Sequence, residues 1–584
     1  MASPSPGTGR HLYRRMIGCA VLLLAFAFAT LGCGSSYHRP DASGGEASDG
    51  SSGEEGSDLS IALFEPDHLI EVNVELAPDD WDAIRVEGRS LTDVFTNCAP
   101  NYEYTEFAAT VTVDGKTYDD VAVRKKGFLG SLSTLRPSLK LNFSRYVPGR
   151  THADMTRMTL NNNLTDPSNT HQCMAYELFK RAGVPASRCN FARVTVNGED
   201  LGIYTHVESV KKPMLRRHFE DDDGNLYEGQ IADFTDNRID LMELKTNNIE
   251  NDRSDLGPVV EALKASDEDL LDALDAVIDL DGFFTFWAME VLVAHWDSYT
   301  GNRNNYLTYH DPTSDRFHFI PWGTDGSFQQ LRLFSPANTA VTVLAEAKIP
   351  NRLYAHPEGR AMYFDRLNEL FTELWDESEL LAEVNRIARL TDAPAGAITT
   401  MKEFIASHTD AMVAELGIDL EDTPDWVDNP SADAELVCVE LGPPISGEFD
   451  TTWGGGAASG AGQSLVITID EALVDTSNVT VSASDDTVDP DGVASVLFLS
   501  NQGGGILLGV ALRMPKAYFE PGVYPMHGFE TNAIVVRIDV LAGFSIEAIG
   551  FAGGGTITLL EASLVPGATV RGSFEGDFVQ IAPF

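Results

Sequence analysis

The chain has 584 residues, 43% of them hydrophobic, which is enough for two or three folded units. Against 88 Asp and Glu stand only 41 Lys and Arg, a formal net charge of -47. Such a surface repels phosphodiester backbones, so nucleic acid is excluded as a partner.

Arg10, Arg14 and Arg15 precede an apolar run from Ile17 to Leu31. A charged start and a core too short to span a bilayer comfortably read as a signal peptide over residues 1–33. Leu31-Gly32-Cys33 resembles a bacterial lipoprotein processing site, which implies a lipid on Cys33 and membrane attachment outside the cytoplasm. Residues 34–60 are Ser, Gly, Asp and Glu with almost nothing apolar, a disordered tether. Of six cysteines, Cys19 leaves with the signal and Cys33 carries lipid. Cys98, Cys173, Cys189 and Cys438 remain, an even number in an oxidising compartment. Three connectivities are open. Cys173 with Cys189, closing a helix-to-strand loop, is the expected pair. No Cys-x-x-Cys or His-x-x-x-His spacing points to zinc.

Folded structure is expected from residue 61. Leu69–Val74, Phe107–Val113 and Tyr118–Val123 alternate as strands, the last two joined across Asp114-Gly115. Arg124, Lys125, Lys126, Arg136 and Lys140 then concentrate positive charge on two strands and the glycine-containing loop between them. Alternation sets Lys140 and Asn142 on the face opposite Leu139 and Leu141. In an acidic chain these cations, with backbone amides, suit phosphate groups. A helix is predicted over 169–182, ended by Gly183 and Pro185. Its Glu177 stands, in chain order, where a protein kinase places the glutamate that pairs with a strand lysine. A hairpin follows across Asn197-Gly198, and Glu208 ends its second strand, at the position of a connector between two lobes.

Helices are expected over 258–278 and through the apolar run Phe283–Ala294. That run delivers the polar loop His295-Trp296-Asp297, with Asn302 five positions after the aspartate. Two short strands, Tyr306–Tyr309 and Phe317–Ile320, lead to Thr324-Asp325-Gly326. H-x-D-x-x-x-x-N followed by D-G is the order of parts in a kinase phosphoryl-transfer site. There the first aspartate orients a hydroxyl, and the asparagine and later aspartate hold metal. A loop acid and a post-strand acid flanking one hairpin can converge. More helices are expected over 363–374, 379–390 and 397–416.

Taken together, several stretches resemble the CotH family, the spore-coat protein H-like atypical kinases, over roughly residues 65–420. They are Arg124-Lys125-Lys126-Gly127 with Ser138–Phe143; Met174–Phe179 through Gly183-Val184-Pro185-Ala186; Val196–Glu199 with Leu201–Glu208; His295-Trp296-Asp297 through Asn304-Asn305-Tyr306-Leu307; and Phe319–Trp322. The resemblance implies a two-lobed, kinase-like α+β domain over 61–420, a β-rich lobe followed by a helical one. It also implies transfer of the ATP γ-phosphoryl group, with Mg2+ or Mn2+, to Ser or Thr of surface proteins. On that basis Asp297 is the catalytic acid and Asn302 and Asp325 are metal ligands. Arg124, Lys126, Lys140, Glu177 and Glu208 are expected on the nucleotide side. This chain has Trp322-Gly323-Thr324-Asp325 where many members read Trp-Asp-x-Asp, so the first acid is missing and the second kept.

Residues 421–445 form a linker by their prolines. Beyond it, short alternating runs and glycine clusters predict an all-β sandwich over 446–584. Acids such as Asp485, Asp486 and Asp489 read there as solvated surface rather than a calcium site. Two competing readings stand beside the kinase. One is a non-catalytic surface lipoprotein serving adhesion or envelope assembly. The other is a carbohydrate-active enzyme, supported only by the abundance of acids.

Overall fold

The computed structural model describes residues 59–581, apart from 91, 93–101, 248–252, 330–339, 418–440, 488, 491, 528–529 and 543–544. The expected signal peptide, lipidated Cys33, most of the tether, most of the linker, and Cys98 and Cys438 lie outside the described residues.

Seven strands close into a barrel: β1 (Leu69–Glu75), β2 (Phe107–Val113), β3 (Lys116–Lys125), β4 (Leu139–Asn142), β5 (Arg157–Asn161), β6 (Cys189–Val196) and β7 (Glu199–Val207), in the order β1-β2-β3-β4-β5-β7-β6. The β2–β3 and β6–β7 turns form where Asp114, Gly115, Asn197 and Gly198 take positive φ, as the dipeptides predict. All neighbours are antiparallel except β1 and β6, whose parallel pairing, Leu69 with Phe191 through Val74 with Val196, closes the ring. Val72, Val111, Val123, Leu139, Leu141 and Leu160 fill the interior. Strand alternation therefore turns Arg124, Lys140, Asn142 and Thr159 outward, toward the second half of the unit.

That half is built around α6 (Leu280–Leu292), buried nearly all round as its sequence requires. Before it in the chain run α1 (Pro78–Val86), which packs on the barrel, and α2 (His171–Arg181), α3 (Lys212–His218), α4 (Gly257–Ala262) and α5 (Leu270–Asp275). After it come α7 (Tyr299–Asn302), α8 (Lys348–Ala355), α9 (Pro357–Leu374), α10 (Glu377–Thr391) and α11 (Ala395–Leu416). Trp287 of α6 stacks on Tyr363 of α9 with ring centroids 3.8 Å apart. This half is not purely helical. β8 (Asn225–Gly229), β9 (Glu243–Leu244), β10 (Tyr306–Asp311) and β11 (Arg316–Pro321) form a four-stranded sheet ordered β11-β10-β8-β9. The first two strands carry no clear alternation and were not legible in the sequence. Cys173 of α2 and Cys189 of β6 form a disulfide across 16 residues, tying helix to barrel.

From Ile445 to Gln580 the chain is almost all strand, with its own core. It differs from the expected sandwich. Ten strands join one continuous sheet that curls until Thr451 Oγ1 reaches the Val481 carbonyl at 3.2 Å and Gly454 N donates to Ala483 O at 2.8 Å. The sheet rolls rather than splitting because strands such as Ser545–Glu561 are long, bulged and glycine-bearing, and so bend without breaking their ladders. Among the described residues no helix is long and apolar enough to cross a membrane.

Candidate functional site

The chain leaves α6 through Ala294, whose left-handed backbone (φ 48°) starts the loop to Asn305. Glu290, fully buried on α6, accepts hydrogen bonds from Thr300 N (2.9 Å) and Thr300 Oγ1 (2.6 Å) and folds the loop back onto its helix. Burial pushes this carboxyl up to about 7. Buried Asp233 fixes the loop's far side, accepting from Tyr299 OH at 3.0 Å and lying 3.2 Å from Arg303 Nε. Arg303 and Asn305 both adopt left-handed backbone (φ 57° and 50°), which aims three asparagines at one point.

That point is Asp297, wholly buried. Asn302 Nδ2 donates to its Oδ1 at 2.6 Å, and Asn305 Nδ2 to its Oδ2 at 2.7 Å. Asn304 Nδ2 reaches both carboxylate oxygens at 3.2 Å. The amide oxygens of Asn304 and Asn305 are buried and have no hydrogen-bond partner among the described residues. The turn Thr324–Gly326 lies directly on this loop. A Cβ added at Gly326 would sit 3.3 Å from Asp297 Cβ, a close approach that favours glycine. The two acids that the sequence sets at either end of one hairpin thus meet in space, and the charge of Asp297 adds to the upward shift of the Asp325 carboxyl. Gly323 takes φ 54° and leads into the turn Thr324–Gly326 that carries Asp325.

Asp325 is held by Thr165 Oγ1 at 3.3 Å and, through its carbonyl, faces His171 Nδ1 at 3.1 Å. Burial raises its carboxyl, and the charge of Lys126 opposes that shift. Burial in turn lowers the Lys126 ammonium, opposed by Asp325. Lys126 Nζ donates to Asn161 Oδ1, and Asn161 Nδ2 to Gln172 Oε1 at 2.6 Å. Ser131, Asn161, Asn162, Asn163, Thr165, Gln172 and Asp325 line a small pocket at this junction.

Next to it, Lys140, Ser209, Val210, Lys211, Glu228, Lys245, Leu307 and Trp322 line a second cleft. Trp322 ties it to the acid loop, its backbone N–H donating to Asn305 O at 3.2 Å. Lys140 is buried, and no hydrogen bond or ion pair engages its ammonium among the described residues. Burial drives its pKa well down, and Arg124, Arg157, Lys211 and Lys245 add to the shift, all of them cations. A buried cation facing further cations is costly unless an anion joins it. Arg124, the register partner of Lys140 on β3, is also buried and donates to Lys125 O at 3.0 Å. Lys245 bonds Glu228 (2.6 Å) and Glu243 (2.9 Å).

Two expected site residues are not brought here. Glu177 is exposed and pairs with Lys180, because Met174, Ala175 and Leu178 set the buried face of α2. The α2 residues turned to the site are His171 and Gln172, in the first turn of the helix. Glu208 is buried, but its carboxylate is taken up by Arg188 at 2.8 Å and by Arg217. The following residues, Ser209 to Lys211, line the cleft in its stead. Sequence reasoning assigned no role to Asn304, Asn305, Thr165, His171, Glu228 or Lys245. The consecutive Asn304-Asn305 ahead of a strand was the available signal.

Fold and site define a mixed α/β protein whose barrel turns buried cations toward two apposed, buried carboxylates. The chain belongs to the family described as CotH kinase protein, whose sequence profile matches residues 123–416. It is 24% identical over 237 residues to the invasin CotH7 of Rhizopus delemar, covering 38% of this chain and 40% of that protein. It is 23% identical over 262 residues to the inner spore coat protein H of Bacillus subtilis, covering 42% of this chain and 71% of that protein. A second Rhizopus delemar invasin, CotH3, is 23% identical over 204 residues, covering 32% of this chain and 34% of that protein.

Proposed function

We propose that this protein is a kinase of the CotH type, transferring the γ-phosphoryl group of ATP to Ser or Thr hydroxyls of proteins outside the cytoplasm. The observation that carries this is Lys140, a buried and unpaired cation in a cleft whose wall residue Trp322 is bonded through its backbone to the loop that carries Asp297. The barrel and the α6-centred half are read as the two lobes of a kinase, with Ser209–Lys211 as the connector.

The donor set fits Mg2+ or Mn2+. It is all oxygen, namely the two carboxylates, the Asn302 amide and the orphaned amide oxygens of Asn304 and Asn305. Asp325 and Asn302 would hold the ion, which supplies neutralisation of phosphate charge when bound. The chain's own groups do the rest. Lys126, Arg124 and Lys140 bind and position the phosphates from the barrel face. Asp297, locked by three amide donors, orients the acceptor hydroxyl and takes its proton as the oxygen–phosphorus bond forms and the bond from the γ-phosphorus to the bridging oxygen breaks, releasing ADP. The α2–β6 disulfide suits an oxidising compartment, and the relatives are named as coat protein and invasins. Attachment through lipid on Cys33 completes the proposed location.

The test is a thermal shift with Mg-ATP, followed by γ-phosphate labelling of protein acceptors. Wild type should be stabilised and Asp325→Ala should not. Asp297→Ala should keep nucleotide affinity and lose labelling. The relatives' names favour a second reading, a surface attachment or coat-assembly protein that keeps the fold without the transfer. No shift in wild type at millimolar Mg-ATP would establish that reading instead.

A further inference from the structure

The glycine-containing loop Gly127–Arg136 has two faces. Its inner face lies over the site. Lys126, just before it, sits beside Asp325, and Ser131 lines the pocket that Asp325 shares with Asn161 and Thr165. Ser138 N donates to Ser131 O at 3.0 Å, and Asn162 Nδ2 donates to Arg136 O at 2.6 Å, so the loop's inner side is pinned to the cleft wall. The outer face is only partly open to solvent, with Leu135 exposed and Thr134 half-buried. It is held by the C-terminal β unit, almost four hundred residues away in sequence. Glu530 Oε2 accepts from both Thr134 N (2.9 Å) and Thr134 Oγ1 (3.0 Å).

The grip extends past one residue. His527 Nε2 lies 2.6 Å from Val86 O, and Thr92 Oγ1 accepts from Gly553 N at 3.1 Å. Gly88 is wedged between Leu132 of the loop and His527, where an added Cβ would meet Leu132 Cδ2 at 3.2 Å and His527 Cε1 at 3.7 Å. Arg89 lies over the ring of Phe128 at 4.4 Å. The loop is thus sandwiched, with phosphate-side residues beneath it and the β unit above.

We infer that Glu530 is a positioning residue, by which the C-terminal β unit sets the conformation of the Gly127–Arg136 loop and thereby the affinity of the cleft for a nucleoside triphosphate. This rests on the nucleotide reading proposed above. Glu530 touches no ligand. It acts by fixing the Thr134 amide with a charge-assisted pair of bonds, the strong kind. An unfixed loop of this length would have to be ordered each time a polyphosphate bound, which lowers affinity.

The experiment uses the full chain with Glu530→Ala and Glu530→Gln, since Gln keeps a carbonyl acceptor for the Thr134 amide. Amide exchange is followed across residues 127–136, and Mg-ATP affinity and KM against kcat are measured alongside. Glu530→Ala should exchange about tenfold faster at Thr134. Its Mg-ATP affinity should fall several-fold, and the change should enter KM rather than kcat, with Glu530→Gln recovering most of both. Faster exchange with unchanged Mg-ATP affinity would overturn the inference, as would unchanged exchange in Glu530→Ala. A wild type that binds no Mg-ATP would overturn the nucleotide reading instead. Accelerated exchange in Glu530→Ala would then still support the hold of the β unit on the loop.

Discussion

The link between α2 and the barrel gives a stability prediction with a magnitude. Cys173 and Cys189 close a loop with a sequence separation of 16. In the chain-entropy account, cross-linking a loop of that size removes unfolded-state freedom equivalent to about 3 kcal/mol. Cys173→Ala with Cys189→Ala should therefore lower the unfolding free energy of the barrel-containing unit by ~3 kcal/mol, with little change in denaturant slope. The assay is guanidinium unfolding followed by tryptophan fluorescence, with and without reductant. Reduced wild type should superimpose on the oxidised double variant. The loss should also reach the site, because the first turn of α2 carries His171 against Asp325 and Gln172 against Asn161. A stability difference below about 1 kcal/mol would refute the reasoning. So would a reductant shift in the double variant as large as in wild type, which would place the effect in other cysteines.

Further expectations concern the buried charges. Lys140→Met should raise the melting temperature of the ligand-free protein while removing the Mg-ATP shift, since exchanging an unpaired buried cation for an apolar isostere stabilises by roughly 1–3 kcal/mol; differential scanning fluorimetry with and without nucleotide reads both. Asn305→Leu should destabilise by about 1–3 kcal/mol and abolish labelling, because it strips a donor from Asp297 Oδ2 and from the Asp297 carbonyl; chemical denaturation and the transfer assay check it. Lys125 is buried against the Arg85 carbonyl (2.6 Å), and burial lowers its pKa to about 7 from 10.5. The unfolded chain binds more protons than the folded one between these values, so stability rises with pH from about 7 to 10.5. Lys125→Met should flatten that rise, as measured by unfolding at pH 7, 8 and 9.

Local signals carried much of the fold. Asp114-Gly115 and Asn197-Gly198 fix their hairpins because those residues tolerate positive φ, and the apolar run before His295 could only be a buried helix. The meeting of Asp297 and Asp325 was legible because one short hairpin separates them. What failed was whatever depends on distant partners. Nothing local marks β1 as a parallel neighbour of β6. Glu177 was misplaced because order in the chain does not specify which face of α2 is buried. Glu208 was misread because Arg188 and Arg217, which neutralise it, are ordinary surface residues in sequence. The curl of the C-terminal sheet depends on bulges, which alternation alone does not reveal.

The ring of seven staves has a consequence for anyone excising the conserved segment. The family profile begins at Val123, inside β3, whereas the hoop is completed by β1 and β2, which precede it. A fragment starting at Val123 would leave β6 and a three-residue stub of β3 as raw margins, a template for self-association. The smallest piece that stays in solution should begin no later than Leu59, some sixty residues upstream of where homology becomes visible.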